Sequence, residues 1–251
     1  MQSSSIESTR NGVALRWQAL RDTKALQAAA ASRVVVAAAA AIAARGRFNL
    51  VLSGGNTPRG VYQRLCDADT DWRRWHIYLG DERCVPRDDA QRNSAMATDC
   101  WLAHVPVPVA QQHWIPAELG PDAGAARYAE TLRDIGSFDL VLLGLGEDGH
   151  VASLFPGSDW GAVETASAAL PVVDAPKPPP QRVSLSAARQ RSSAARFESP
   201  SIRNSTARAL FRRAALKDTR CGGGLGASST GRAAGAVSAA PQSDPGNRLA
   251  T

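Results

Sequence analysis

Cysteine is scarce in this chain, with four among 251 residues. No two of them form a Cys-x-x-Cys pair and no cluster of histidines accompanies them, so the spacing of a structural zinc site is missing. A disulfide framework is excluded as well, because that strategy belongs to small secreted domains rich in cysteine. We therefore expect a reducing compartment, the cytoplasm. The four positions are Cys66, Cys84, Cys100 and Cys221.

Long apolar runs and an export signal are also missing. Residues 1–10 are polar and hold no apolar segment of the kind found in a signal peptide. The longest uncharged apolar stretch, residues 34–44, is too short to span a bilayer. We therefore expect a protein without a membrane partner. The length of 251 residues suits one α/β domain.

The positive charge is concentrated at one end of the chain. The whole chain has a net charge of +6, yet residues 183–251 carry ten arginines and one lysine against three acidic residues, a net charge of +8. Arginine-rich segments attract phosphate backbones, so a nucleic-acid binder is one alternative function. No aromatic interleaving or binding motif accompanies this charge, which argues against a nucleic-acid partner.

Three short apolar segments each end in a polar loop, at residues 48–52, 75–79 and 138–143. Helical patterns lie around them, over residues 24–44 before Gly46 and at about 58–66, 93–103 and 122–135. This alternation predicts an α/β fold in three layers, a mainly parallel sheet with helices on both faces. Such sheets bind ligands at the carboxyl ends of their strands, so the three loops should meet on one rim.

The first loop, Ser53 to Pro58, suits a phosphate. Its glycines let backbone N–H groups approach, its hydroxyls donate, and a helix N-terminus follows. In the second loop, Asp81 and Glu82 precede Arg83, whose guanidinium is suited to clamp an anionic or polarised oxygen. An ordinary tight turn and a solvated charged turn are the respective alternatives.

The third loop, residues 146–150, places His150 two residues after Asp148 between glycines. An imidazole that titrates near neutrality, beside a carboxylate that fixes its tautomer, describes a general base with an orienting acid. A structural histidine is the alternative. A proline-rich connector, residues 176–181, then leads Arg182 into a predicted strand, and a plain linker is the alternative here.

With these residues placed, the chain strongly resembles the 6-phosphogluconolactonases. Three signatures of that family occur in order: Ser-Gly-Gly-x-Thr-Pro at 53–58, Asp-Glu-Arg-x-Val-Pro at 81–86, and Gly-x-Asp-Gly-His-x-Ala-Ser-Leu-Phe-Pro at 146–156. Arg92-Asn93-Ser94 is also family-like, and the match covers roughly residues 20–186. The resemblance implies a sugar-phosphate isomerase/deaminase-like, Rossmann-like fold. It also implies hydrolysis of 6-phospho-D-glucono-1,5-lactone in the oxidative pentose phosphate pathway, without metal or organic cofactor.

The resemblance also implies roles for individual residues. His150 would deprotonate the attacking water, Asp148 would hold the imidazole, and Arg83, with Asp81 beside it, would stabilise developing charge. Related deaminases carry a glutamate five residues after the histidine, where this chain has Phe155, which favours the lactonase. The 6-phosphate would be held by Ser53, Gly54, Gly55, Thr57 and Arg182.

Beyond about residue 188 the match fails. The family's further strand and its Gly-x-x-Lys turn are not recognisable, and Lys217 lacks their context. We predict an incomplete domain over residues 1–188 and a basic, poorly ordered tail over 189–251. One hypothesis is a shifted reading frame, which sequencing the encoding DNA would test. A sugar-phosphate binder inactivated by this tail and a related isomerase or deaminase are the alternative functions, and we expect a monomer or weak dimer.

Overall fold

The computed structural model describes residues 4–10, 13–161, 166–192, 196–200 and 233–237. Its strands and helices follow in chain order. The strands are β1 (Ser4–Arg10), β2 (Val13–Leu20), β3 (Phe48–Leu52), β4 (Trp75–Leu79), β5 (Asp81–Arg83), β6 (Gln112–His113), β7 (Leu140–Leu145), β8 (Ala169–Val172), β9 (Arg182–Leu185), β10 (Arg196–Pro200) and β11 (Ala233–Val237). The helices are α1 (Thr23–Arg45), α2 (Asn56–Leu65), α3 (Asn93–Ala97), α4 (Pro121–Thr131) and α5 (Ala187–Arg191).

A large sheet forms the centre of the molecule, with the strand order β1-β2-β11-β10-β7-β3-β4-β6. From β10 to β6 every pair is parallel, whereas β11, β2 and β1 pair antiparallel at the other end. All five residues of β3 are buried, which explains its continuous apolar sequence in the middle of the sheet. The mainly parallel sheet is confirmed.

Helices cover both faces of this sheet. On β4, Trp75 and Tyr78 are three residues apart and therefore point to opposite faces. Trp75 contacts Trp101, which stacks on Tyr62 of α2, and α1 packs against α2 and β3. On the other side, the Tyr128 hydroxyl of α4 bonds to the backbone of Leu79. This arrangement is the predicted three-layer α/β fold.

Local signals explain where α1 begins and ends. The Asp22 carboxylate accepts the Ala25 N–H at 2.7 Å as an N-cap, and Gly46 ends the helix at φ 72°, a conformation that glycine adopts freely. By length and composition alone α1 is long and apolar enough to cross a membrane. One of its faces is buried in the protein core, as in the core helix of a folded domain: Leu26, Ala30, Ala31, Val34, Ala38 and Ala41.

A second sheet, with the order β5-β9-β8, was not predicted. Asp81–Arg83 were expected to form a loop, but these residues form β5, antiparallel to β9. The predicted strand at Arg182 is confirmed as β9. The predicted helix over 93–103 divides into α3 and a π-helical turn, Thr98–Leu102.

The predicted boundary at residue 188 falls inside α5. Beside β7, where the sequence shows no strand signal, the backbone of β10 adds a parallel strand, and β11 joins β10 to β2. Most of the tail predicted over 189–251, with Lys217 and Cys221, lies outside the described residues. The poorly ordered tail and the shifted reading frame therefore stay predictions.

Candidate active site

The three polar loops meet at the carboxyl ends of β3, β4 and β7, as predicted. They surround a cavity of about 270 Å³ whose lining includes every predicted site residue except Asp148, which lies behind His150. The predicted residues on the wall are Ser53, Gly54, Gly55, Thr57, Asp81, Arg83, His150 and Arg182. Residues as far apart in sequence as Ser53 and Arg182 thus face one space.

His150 and Asp148 form a hydrogen-bonded pair. The imidazole Nδ1 bonds to Asp148 Oδ1, and the ring stacks on Phe155 with its centroid 4.8 Å away. A carboxylate at Nδ1 assigns the proton to that nitrogen and leaves Nε2 as the acceptor of a further proton. Burial raises the pKa of Asp148, but hydrogen bonds from His150 and Lys177 outweigh this and lower it to about 2.

Position 146 must be a glycine for the imidazole to lie where it does. A Cβ atom there would come within 2.1 Å of His150 Nδ1 and Cε1. Gly149 has φ +89°, which glycine adopts without strain. The glycines that flank the third loop therefore make space and turn the chain.

Lys177 is a site residue that sequence reasoning missed. Its Nζ lies 3.3 Å from Asp148 Oδ2, on the side of the carboxylate away from the imidazole. In the sequence, residue 177 is recognisable only as part of a connector, because nothing local to the proline-rich segment indicates its partner.

Asn93, at the start of α3, is a second missed residue. Its amide donates to the Asp81 carbonyl at 2.9 Å and to Asp81 Oδ1 at 3.1 Å, while its Oδ1 accepts from Arg83 Nη1 at 2.7 Å. Asp81 Oδ2 also accepts from Ser153 Oγ at 2.6 Å. The Asp81 carboxylate is thus hydrogen-bonded on both oxygens, and it positions Asn93 and Ser153. In the sequence, the family-like run Arg92-Asn93-Ser94 was the signal that could have identified Asn93 as a site residue.

Glu82 is fully buried and belongs to the scaffold of the site. Its carboxylate accepts the backbone N–H groups of Asn93 at 2.7 Å and Ser94 at 2.9 Å, and it contacts Arg92 at 3.4 Å. Arg92 is itself 2% exposed and also bonds to Glu118 at 2.8 Å. Glu82 therefore fixes the start of α3 against β5 and, through it, the place of Asn93.

Two arginines share one face of the second sheet. Arg83 and Arg182 are directly opposite each other in the antiparallel pairing of β5 and β9, where like charges repel unless an anion joins them. Arg83 Nε is buried without a hydrogen-bond partner among the described residues. Burial lowers the pKa of Arg182, and the charge of Arg83 adds to this effect while that of Asp81 opposes it. This face favours an anionic ligand.

The first loop is held rigidly. Ser53 Oγ accepts the Gly144 N–H at 3.2 Å, and the Tyr62 hydroxyl bonds to both the N–H and the carbonyl of Ser53. No side chain among the described residues caps the N-terminus of α2, which follows, so its first N–H groups remain open at the cavity wall. Helix N-termini with open N–H groups favour anions.

A second cavity of about 250 Å³ adjoins the first and shares Gly55, Asn56, Arg83 and Asn93 with it. It extends toward Arg59 and the prolines at 178 and 179.

Within the part of the chain that the structure describes, no group of three or more His, Cys, Asp or Glu side chains is placed to hold a metal ion. Cys66, Cys84 and Cys100 are free thiols.

Comparison of the sequence with known proteins identifies a family and named relatives. A family model described as glucosamine-6-phosphate isomerases/6-phosphogluconolactonase matches residues 21–197. The 6-phosphogluconolactonase of Mycobacterium leprae is 37% identical over 178 residues, which cover 65% of this chain and 72% of that protein.

Solved structures of related proteins have a similar fold. The crystal structure of 6-phosphogluconolactonase from Thermotoga maritima gives a TM-score of 0.64 at 26% identity, over 69% of this chain and 78% of that chain. A monomeric glucosamine-6-phosphate deaminase gives a TM-score of 0.59 at 19% identity, over 70% of this chain and 78% of the other. The likeness to the deaminase shows a shared fold alone.

Proposed function

The chain belongs to the glucosamine-6-phosphate isomerase/6-phosphogluconolactonase family, and on this premise we propose that it hydrolyses 6-phospho-D-glucono-1,5-lactone to 6-phosphogluconate, a step of the oxidative pentose phosphate pathway. One observation carries the proposal. A histidine–carboxylate pair and two opposed arginines face the same cavity. Hydrolysis of a phosphorylated lactone needs a base and a cation beside the ring carbonyl and a further cation beside the phosphate.

His150 is the proposed general base. With Nδ1 bonded to Asp148, Nε2 takes a proton from water while the water oxygen bonds to the lactone carbonyl carbon. The ring C–O bond then breaks, and the imidazolium returns the proton to the leaving ring oxygen. The product acid ionises in solution. Phe155, stacked on the imidazole, offers no acid or base for a deaminase-type reaction.

The arginines and the start of α2 are proposed to hold the substrate. Arg182 and the open N–H groups near Gly55 and Thr57 are suited to the 6-phosphate, with Ser53 and Gly54 shaping the loop. Arg83, fixed by Asn93, is placed to stabilise charge that develops on the carbonyl oxygen. Asp81 is proposed to position Asn93 rather than to react, because both its oxygens are hydrogen-bonded.

The test is hydrolysis of freshly generated lactone by purified protein, measured against spontaneous hydrolysis. His150→Ala should lower kcat by about 10² to 10⁴, the usual contribution of a general base. His104→Ala is the matched control, since His104 is exposed and its imidazole bonds only to the backbone carbonyl of Asp99 in the described chain. Turnover that does not exceed the spontaneous rate, or that His150→Ala leaves intact, would rule the proposal out.

We also propose that the protein acts in the cytoplasm as a monomer or weak dimer on this small molecule. The free thiols in the described residues support a reducing compartment. Sedimentation equilibrium over a range of concentrations tests the oligomeric state, and a stable higher oligomer would contradict it.

A further inference from the structure

The proline-rich segment 176–181 connects the base to the arginine pair. Lys177 Nζ lies 3.3 Å from Asp148 Oδ2, while its backbone carbonyl accepts from Arg182 Nη2 at 3.1 Å. Arg182 also donates to the carbonyls of Pro178 at 3.3 Å and Pro179 at 2.9 Å. The segment is thus tied on one side to the carboxylate behind His150 and on the other to a buried guanidinium.

Resting on the proposed function, we propose that Lys177 is a positioning residue of the hydrolysis, which holds Asp148 in place and favours the neutral form of the His150 imidazole. Asp148 by itself would favour the imidazolium, because a carboxylate stabilises a neighbouring cation. An imidazolium cannot take a proton from water. A second cation on the other oxygen of Asp148 offsets this effect without removing the hydrogen bond that fixes the tautomer.

The charges around His150 act in opposite directions: the carboxylates favour the imidazolium, whereas the cations favour the neutral ring. Asp148 and Lys177 lie on its Nδ1 side, whereas Asp81, Arg83 and Arg182 lie across the cavity. The Asp81 carboxylate already accepts from Ser153 and Asn93. Loss of the Lys177 charge would leave the Asp148 carboxylate, which contacts the imidazole, without the cation on its other oxygen, and the charged ring would become more favourable.

Lys177 contributes little to folding by this contact. Its side chain is 46% exposed and that of Asp148 is 36% exposed, and ion pairs at such sites add little stability. Its backbone, however, is fixed by Arg182, so the cation is presented to Asp148 from a constrained position. A substitution should therefore alter the chemistry of the site more than the stability of the fold.

The experiment compares Lys177→Met and Lys177→Gln, which remove the charge, with Lys177→Arg, which keeps it. Lys24→Met is the control, because Lys24 is exposed on α1 and does not line the cavity. The first measurement is the pH profile of kcat/KM for the phosphorylated lactone. A nearby charge shifts a titration by about 1–3 units when shielded from water, and exposure reduces this.

In both neutral variants the acidic limb of the profile should move to higher pH by roughly half a unit to one unit. Activity at alkaline pH should fall much less than activity near pH 6, and Lys177→Arg should restore most of the wild-type profile. An unmoved limb, or a uniform fall of kcat at every pH, would overturn the proposal, since a merely structural lysine gives that result.

The second measurement does not depend on turnover. NMR titration of the imidazole, assigned through His150→Gln, should show the same upward displacement of the His150 midpoint in Lys177→Met. If the wild-type protein lacks lactonase activity, the proposed function fails, yet this titration still tests the link between Lys177 and the imidazole. A midpoint equal to that of the wild type would refute the link.

Discussion

At the scale of single residues, the imidazole of His150 occupies space that any side chain at position 146 would fill. In Gly146→Ala the new Cβ would lie 2.1 Å from the ring, so the imidazole must move away from its present place. Misplacement of a reacting group by about 1 Å costs about 10² in rate. We expect kcat to fall by about two orders of magnitude.

Gly136→Ala is the matched control for this prediction. A Cβ at position 136 meets no atom of the described residues within 4 Å, and the backbone there has no positive φ. Gly136→Ala should retain the wild-type kcat, and both glycine variants should unfold at similar urea concentrations. A Gly146→Ala protein with wild-type kcat would show that the imidazole can act from another position.

The site residues that sequence predicted and those that it missed differ in one physical respect. His150, Asp148, Arg83 and the first loop lie within short motifs, where neighbours in sequence carry the signal. Asn93 has its place because the buried Glu82 carboxylate holds the start of α3. That contact joins residues eleven positions apart by folding, and a single sequence does not display it.

At the scale of elements, the pair β4–β6 contains two neutral histidines in contact. Gln111 Nε2 donates to His76 Nε2 at 3.0 Å, so His76 Nδ1 carries the proton and donates to His113 Nε2 at 3.3 Å. Burial lowers the pKa of His76, and the charge of Arg47 lowers it further. Burial also lowers the pKa of His113, and the neighbouring His76 adds to that effect. Both rings therefore resist protonation in the fold.

This pair should make stability depend on pH. Because both pKa values are lowered on folding, the unfolded chain binds more protons below about pH 6.5, and stability falls as the pH falls through that value. The free energy of unfolding, measured in urea at pH 7.5 and 5.5, should drop on acidification. The drop should be smaller in a His76→Gln/His113→Gln variant.

His104→Gln serves as the control, because His104 is exposed and lies outside the pair. It should lose as much stability on acidification as the wild type. Equal losses in the double variant and the wild type would mean that protonation of the pair does not oppose folding.

Elements with strong local patterns were predictable, whereas the second sheet was not. The strands β3 and β4 and the helix α1 agree with the apolar and alanine-rich segments within a residue or two. β5 has only three residues, all charged, and its partner β9 lies about a hundred residues further along the chain. Short strands of this kind take their shape from a distant partner, because their own residues favour a solvated turn.

At the scale of the whole molecule, the central sheet depends on which strand pairs with β7 on the side opposite β3. β7 carries the loop of His150 at its end, and β10 pairs with it in parallel over Arg196–Pro200. The sequence around β10 is rich in arginine and serine and gives no strand signal. An unpaired edge beside β7 would expose a row of backbone donors and acceptors next to the site.

Hydrogen–deuterium exchange on the full chain tests this pairing directly. Amides that take part in a ladder exchange slowly, at a rate set by the opening of the structure, whereas unpaired amides exchange within seconds to minutes. We expect slow exchange within residues 196–199 and in β7, and both should become faster together in Phe197→Pro, which removes an amide from β10. If residues 196–199 exchange at once while β7 stays protected, then β7 does not need this strand, and the site is supported by residues upstream of 189 alone.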